Sequence, residues 1–208
     1  SDFKIWLGIW FEIGSIGEAY GGIFLQRPSE LATSEALTED ALVFAYHQIK
    51  DYLGEKAGSI KTISLLFCNN PAIDVNLLKE AKESLKNEED VDSYFSVARY
   101  DMFSPTRARS VDQDGVINNF VNLDSLGEVS SIRSSQGAVY FCDLSIQVMK
   151  PTCFENMDDG NLPFRWQGKR SKAIYTDFGF DIDTEWQFVV IEHWLSKHGY
   201  TETKIPWE

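Results

Sequence analysis

Segments with a strand pattern alternate with segments of helical period along most of this chain, and that alternation constrains its fold more than any other feature. Short apolar runs at residues 60–67 and 93–99 predict strands, the first of them a buried central strand. Thr38 and Asp74 each precede apolar side chains at helical spacing, so they predict helix N-caps. Strands separated by helices predict an α/β fold, a Rossmann-like and mostly parallel sheet layered by helices.

Three further regions refine this picture. Residues 107–121 predict a small inserted β-hairpin with its turn at residues 112–115. Residues 138–142 predict a strand, followed by a helix that ends near Met149. A final helix begins with a capping box formed by Thr184 and Gln187. Its predicted core face is Phe188, Ile191, Trp194 and Leu195. We expect residues 1–208 to form one domain.

Charge and cysteine content limit the possible partners and compartment. The chain has 208 residues and a formal net charge of −13, which disfavours nucleic acids and anionic membranes as partners. It contains no apolar run of the roughly 20 residues that a spanning helix needs. Its three cysteines are not paired at zinc-ligand spacing and their number is odd. These features predict a cytoplasmic protein with free thiols.

The sharpest local feature is the pair Asp181 and Asp183, just before the last helix. Residues i and i+2 of an extended segment point to the same side, so both carboxylates could hold Mg²⁺ while Ile182 faces the core. Loops that follow strands in open α/β sheets also form the ligand crevice. The pattern is equally typical of acidic residues that simply favour a helix N-terminus.

The middle of the chain contains arginine but no lysine. No lysine lies between Lys86 and Lys150. A planar guanidinium suits a carboxylate or a phosphate, and neutralising nearby acids is the commoner role of a surface arginine. The amides of Asn69 and Asn70, after the predicted central strand, could contact a ligand or simply form a turn. The arginines in this region are Arg99, Arg107, Arg109 and Arg133, with Arg107 and Arg109 expected on one face of a strand.

Several segments, in order, resemble the acylneuraminate cytidylyltransferase family. The segment RPSELA at residues 27–32 resembles that family's RP-x-ELA sequence, and LLFCNNP at residues 65–71 lies where such enzymes have the end of a strand. YDMFSPTRAR, SQG, NLPFRWQG and FDIDTEWQF, which begin at residues 100, 135, 161 and 180, resemble a bacterial branch of the group. The similarity runs from about residue 12 to residue 200.

The resemblance implies transfer of CMP from CTP to a nonulosonic acid such as a sialic acid, with Mg²⁺ as cofactor and pyrophosphate as product. It implies a homodimer in which the region of about residues 100–135 contacts the partner or the substrate. Asp181 and Asp183 would be the catalytic metal ligands, and Arg27 would bind the nucleotide. The implied substrate-binding residues are Arg107, Arg109, Arg133 and Gln136, and the strand-end amides of Asn69 and Asn70 complete the predicted substrate-binding set.

Two departures from the family pattern bear on activity. No glycine-rich basic loop precedes residue 12, and Phe67 stands where the family has a glutamine. The chain is therefore expected to be a truncated or impaired form of the enzyme. The alternative is a non-catalytic sugar-acid-binding or partner protein derived from that family. A metal-dependent glycosyltransferase is a third hypothesis and fits less well, because its D-x-D motif usually follows a strand in the middle of the chain.

Overall fold

A computed structural model describes residues 4–8, 11–132, 135, 137–179 and 181–204, without the side chains of residues 6, 11–13 and 102. Its helices are α1 (Phe11–Ala19), α2 (Thr38–Leu53), α3 (Val75–Asn87), α4 (Thr152–Glu155) and α5 (Glu185–Lys197). Its strands are β1 (Ile5–Gly8), β2 (Ile23–Gln26), β3 (Ile63–Leu65), β4 (Ser93–Arg99), β5 (Arg109–Val111), β6 (Ile117–Asn119), β7 (Tyr140–Met149) and β8 (Ser171–Thr176).

The largest described sheet has the strand order β3-β7-β4-β8. Strands β4 and β8 run in the same direction, because Asp92 N donates to Arg170 O before both strands and Thr176 Oγ1 donates to Val97 O near their ends. Strand β7 runs against β4, since Tyr100 N donates to Val139 O. The predicted α/β class with a mostly parallel sheet is confirmed.

Two smaller sheets accompany it. Strands β1 and β2 pair in parallel, and β5 and β6 form an antiparallel hairpin. The hairpin confirms the predicted insertion, and its turn is closed where Asp112 Oδ1 accepts from Asp114 N at 3.0 Å and from Val116 N at 2.9 Å. Gly115 has a φ of +80°, a left-handed conformation that favours glycine in such a turn.

The chain divides into two compact units that interleave along the sequence. Unit 1 comprises Ser1–Ile63, Lys82–Ser93 and Val148–Ser171, and unit 2 comprises Ser64–Ala81, Tyr94–Gln147 and Lys172–Glu208. In unit 1 the ring of Tyr46 on α2 stacks on Phe154 of α4, with centroids 5.4 Å apart, and both side chains are buried. The expectation of one domain over residues 1–208 stays a prediction.

Unit 2 has its own apolar cluster around α5. Ile191 and Trp194 are buried there with Ala72, and Ile182 and Leu195 are among the side chains that pack against them. The predicted capping box is present, with Gln187 Oε1 accepting from Thr184 N at 2.6 Å. The expectation that Phe188 faces the core is wrong, because its side chain is 55% exposed.

Three further predictions need correction. The prediction of a helix after residue 142 is wrong, because β7 continues to Met149. Its last four residues, 146–149, are fully buried and form an unbroken run typical of a strand covered on both faces. The strand predicted at residues 60–67 is only three residues long and lies at the end of the strand order, so it is not central. Thr38 is the first residue of α2, which begins after Leu37 without a side-chain cap.

The described helices include none that is both long and apolar enough to cross a lipid bilayer.

Candidate functional site

Polar residues of unit 2 meet where β3, β4 and β8 end and β7 begins. Asn70, in the loop after β3, donates from Nδ2 to Asp143 O of β7 at 2.9 Å and to Asp181 Oδ1 at 3.4 Å. Tyr100, which follows β4, shares hydrogen bonds of 3.3 Å between its hydroxyl and the backbone of Gly179. The loops therefore form one connected group at the edge of the sheet where open α/β folds bind ligands.

The segment 181–183 has the alternation that its sequence predicts. Ile182 packs against the apolar cluster of α5, which confirms its predicted position, while Asp181 is half-buried and Asp183 is exposed. Ile182 N donates to Asn69 O at 2.8 Å, and Asp183 N donates to Gln187 Oε1 at 2.7 Å. Ile182 is thus tied to the loop after β3, and Asp183 is tied to the first turn of α5.

The electrostatics at Asp181 are unfavourable in the absence of a cation. Burial raises the pKa of Asp181, the neighbouring carboxylates of Asp183 and Asp143 raise it further, and the hydrogen bond from Asn70 lowers it. A raised carboxylate pKa means that the ionised form is disfavoured where it lies. A cation bound beside Asp181 would relieve this repulsion.

Asp143 is a buried carboxylate that the sequence patterns did not identify. It accepts hydrogen bonds from the hydroxyl of Ser96, from both the backbone N and the hydroxyl of Ser145, and from Thr176 Oγ1. These donors come from β4, β7 itself and β8, so the carboxylate links three strands. A single acidic residue inside the apolar run of residues 138–149 was the available signal, since unpaired charges are rarely buried.

The backbone of two neighbouring segments packs closely around Asp143. Leu144 has a φ of +58°, a conformation rare for a residue with a side chain, and its carbonyl accepts from Gln147 Nε2 at 2.9 Å. A Cβ atom at Gly179 would lie 2.6 Å from Asp143 Cγ, so only glycine lets this loop lie against the carboxylate. The loop after β8 is therefore positioned by contact with Asp143 as well as by its own hydrogen bonds.

Arg107 and Arg109 do not share the strand face that the sequence predicts for them. Arg99 pairs with Asp101, with Nη2 and Oδ2 2.9 Å apart, which is the commoner neutralising role. Arg107 ends a 3₁₀ turn and Arg109 begins β5, so the two do not lie on one strand face. Arg109 Nη1 donates to Thr106 O and Ala108 O at 2.9 and 2.8 Å. Within the described parts of the chain, no hydrogen bond or ion pair joins the side chain of Arg107 to another residue.

The remaining residues predicted to bind ligands differ in their burial and in the unit to which they belong. Asn70 is 1% exposed, whereas Asn69 is exposed in the same loop. Arg27 belongs to unit 1 and is half-buried, and its Nε has no hydrogen-bond partner among the described residues. Arg133 and Gln136 lie outside the described residues. The ligand-binding roles of all these side chains stay predictions.

The oxygen atoms near Asp181 fit a hard divalent cation. Considering the described residues alone, no three His, Cys, Asp or Glu side chains converge as a metal-binding group. Mg²⁺ needs only one or two carboxylates when substrate phosphates supply the remaining ligands. Asp181 and Asp183 provide that number, and the repulsion at Asp181 gives them a physical reason to bind a cation.

Comparison with known proteins gives a likeness of fold. No protein-family model matches the sequence, and no curated protein is similar to it. Among solved structures, CMP:2-keto-3-deoxy-manno-octonic acid synthetase complexed with CTP is similar with a TM-score of 0.57 and 8% identity. The match covers 95% of this chain and 82% of that one. This chain has the fold of that CTP-binding synthetase.

Two other nucleotide-related structures match less well. One is described as a glucose-1-phosphate thymidylyltransferase from Bacillus anthracis in complex with sucrose, with a TM-score of 0.48, 12% identity, and coverage of 90% of this chain and 71% of that one. The other is HddC from Yersinia pseudotuberculosis complexed with GMP-PN, with a TM-score of 0.41, 15% identity, and coverage of 86% and 71%. Because both TM-scores are below 0.5, neither of these two structures contributes to the fold assignment.

Proposed function

We propose that this protein is a nucleotidyltransferase that transfers CMP from CTP to a nonulosonic sugar acid and releases pyrophosphate. The observation that carries the proposal is the loop of Asp181 and Asp183, held at the ligand-binding edge of the sheet by Asn69 and Gln187. The fold it shares with a CTP-binding synthetase supports a nucleotide as one substrate. The order of family-like segments supports CTP and a sugar acid in particular.

Positioning and charge neutralisation supply most of the catalysis in phosphoryl and nucleotidyl transfer. Asp181 and Asp183 would hold Mg²⁺ through their carboxylate oxygens. When bound, the ion neutralises phosphate charge and orients the triphosphate. Ile182 keeps both carboxylates on the ligand side, because its own side chain is fixed in the apolar cluster of α5. The protein itself adds no covalent intermediate in this proposal.

Arg107 is the arginine best suited to the sugar acid or to phosphate. Its side chain is exposed and makes no hydrogen bond or ion pair within the described residues, so its guanidinium remains available for a bidentate contact. The guanidinium of Arg109 already donates to two backbone carbonyls of its own turn. We therefore expect Arg109 to order the hairpin that follows Arg107, and Arg107 to contact the substrate.

The β5–β6 hairpin supports the proposed homodimer. Val111, Ile117 and Phe120 in and beside it are each at least 66% exposed, which is unusual for large apolar side chains placed together. A second copy of the chain would cover them. Sedimentation equilibrium should give twice the chain mass, and the double variant Val111→Glu, Ile117→Glu should give the monomer mass.

Product formation tests the proposed activity. The protein is incubated with Mg²⁺, one of the four ribonucleoside triphosphates, and each of several nonulosonic acids. The corresponding nucleoside monophosphate–sugar is measured by mass spectrometry together with pyrophosphate. We expect product with CTP and one class of acid, and none from the double variant Asp181→Asn, Asp183→Asn. Sugar-acid binding without CTP binding or turnover would favour the non-catalytic alternative. Turnover in the double variant would refute the assigned role of the aspartates.

A further inference from the structure

Asn70 is a buried amide whose orientation is fixed by its neighbours. Its Nδ2 faces the carbonyl oxygen of Asp143 at 2.9 Å and a carboxylate oxygen of Asp181 at 3.4 Å. Both neighbours accept hydrogen bonds and neither can donate when Asp181 is ionised. Turning the amide over would place its oxygen against two other oxygens, so the observed assignment is the favourable one.

The oxygen atom of the same amide accepts no hydrogen bond from the described residues. Asn70 Oδ1 is buried and has no hydrogen-bond partner among the residues described. A buried acceptor left unpaired costs free energy that an apolar side chain of the same shape would avoid. The presence of asparagine at this position is therefore explained by what its Nδ2 donates to, which is the carboxylate of Asp181 and the backbone of β7.

We propose that Asn70 is a positioning residue, whose amide holds the Asp181 carboxylate in the orientation needed to bind a divalent cation. The inference rests on the cation site of the proposed function. The amide is a suitable anchor because its second partner, Asp143, belongs to a strand that is fixed by hydrogen bonds from β4 and β8. Groups that orient a ligating carboxylate commonly change metal affinity on the order of 10- to 100-fold when they are removed.

This role differs from the substrate contact that the sequence predicts for Asn70. A side chain that is 1% exposed has almost no surface to offer a substrate. Its buried amide is instead placed to orient the Asp181 carboxylate, which accepts from Asn70 Nδ2.

The test measures Mn²⁺ binding to the full chain, without nucleotide, from the electron paramagnetic resonance signal of the free ion. Asn70→Leu replaces the amide with an apolar side chain of similar shape. Asn76→Leu makes the same substitution at an exposed position of unit 2 and serves as the matched control. We expect Asn70→Leu to weaken Mn²⁺ binding about tenfold and Asn76→Leu to leave it unchanged.

Two further variants separate this inference from the proposed function. Asp181→Asn should weaken Mn²⁺ binding more than Asn70→Leu does, and Asn70→Leu should cause no further loss in the Asp181→Asn background. Wild-type affinity in folded Asn70→Leu overturns the positioning role while leaving the cation site intact. Wild-type affinity in Asp181→Asn overturns the cation site itself, and the positioning role with it. Where circular dichroism shows that Asn70→Leu is unfolded, Asn70→Ala replaces it with the same expected loss.

Discussion

Asp143 offers the strongest test of how unit 2 is held together, because four hydrogen bonds end on its carboxylate. The donors are the Ser96 hydroxyl, Ser145 N at 2.9 Å, Ser145 Oγ at 2.7 Å and Thr176 Oγ1 at 2.6 Å. Asp143→Ala removes the acceptor of all four hydrogen bonds. Asp143→Asn removes the charge but keeps an acceptor and a planar group of the same size, so the two variants separate charge from hydrogen bonding.

The loss of stability expected in Asp143→Ala depends on how many of the four donors can bond to another acceptor. Ser145 Oγ can donate to Ser96 Oγ at 3.1 Å, and Thr176 Oγ1 can donate to Val97 O at 3.2 Å. The backbone N–H of Ser145 and the hydroxyl of Ser96 are left unpaired, and a buried unpaired donor costs about 1–3 kcal/mol. We therefore expect Asp143→Ala to be about 3 kcal/mol less stable, a fall in Tm of roughly 6–12 °C for a chain of this size.

Asp143→Asn should be within about 1 kcal/mol of the wild-type protein. Its amide oxygen still accepts from Ser145 N, and its NH₂ can donate to Thr176 Oγ1 once that hydroxyl turns toward Val97 O. Thermal unfolding of both variants, followed by circular dichroism at neutral pH, provides the comparison. Equal stability of the alanine and asparagine variants would refute the hydrogen-bond account, whether both were stable or both unstable.

The remaining predictions concern single groups. In unit 1, Tyr46 Oη donates to Glu155 Oε1 at 2.7 Å, so Tyr46→Phe should lower the free energy of unfolding by about 2 kcal/mol in urea denaturation. Burial raises the pKa of Cys153 to about 12, so iodoacetamide near neutral pH should modify exposed Cys68 and leave Cys153 unmodified, as peptide mass spectrometry would show. Because burial and neighbouring carboxylates raise the folded-state pKa of Asp181, its contribution to stability is present below the ordinary carboxylate pKa and lost as pH rises through the raised value. Asp181→Asn should therefore reduce the loss of stability as the pH rises above about 4 in cation-free buffer, and an unchanged loss would contradict the raised pKa.

Locally determined features were predictable from the sequence. Asp74 caps α3, its Oδ1 accepting from Asn76 N at 2.8 Å, because that geometry depends on a few adjacent residues. Strand β4 has the predicted bounds, and the box at Thr184 and Gln187 is present. The inward position of Ile182 also follows from the alternation of side chains in an extended segment, and the same alternation directs Asp181 and Asp183 away from the apolar cluster.

Features that depend on distant parts of the chain were not predictable. The continuation of β7 to Met149 depends on burial by other elements, and a short apolar run does not itself distinguish a strand from a buried helix. The Asp143 network joins residues 47 positions apart in the case of Ser96, so no local pattern reveals it. The prediction that Phe188 is buried is wrong because only one side of α5 is covered in the described structure.

The central claim is that Asp181 and Asp183 bind a divalent cation together with a nucleotide. Titration calorimetry of CTP, with Mg²⁺ and then with excess chelator, tests it directly in the wild-type protein and in the double variant Asp181→Asn, Asp183→Asn. The account predicts that CTP binding requires Mg²⁺ and is lost in the double variant. CTP binding of equal strength with chelator, or in the double variant with Mg²⁺, would contradict it.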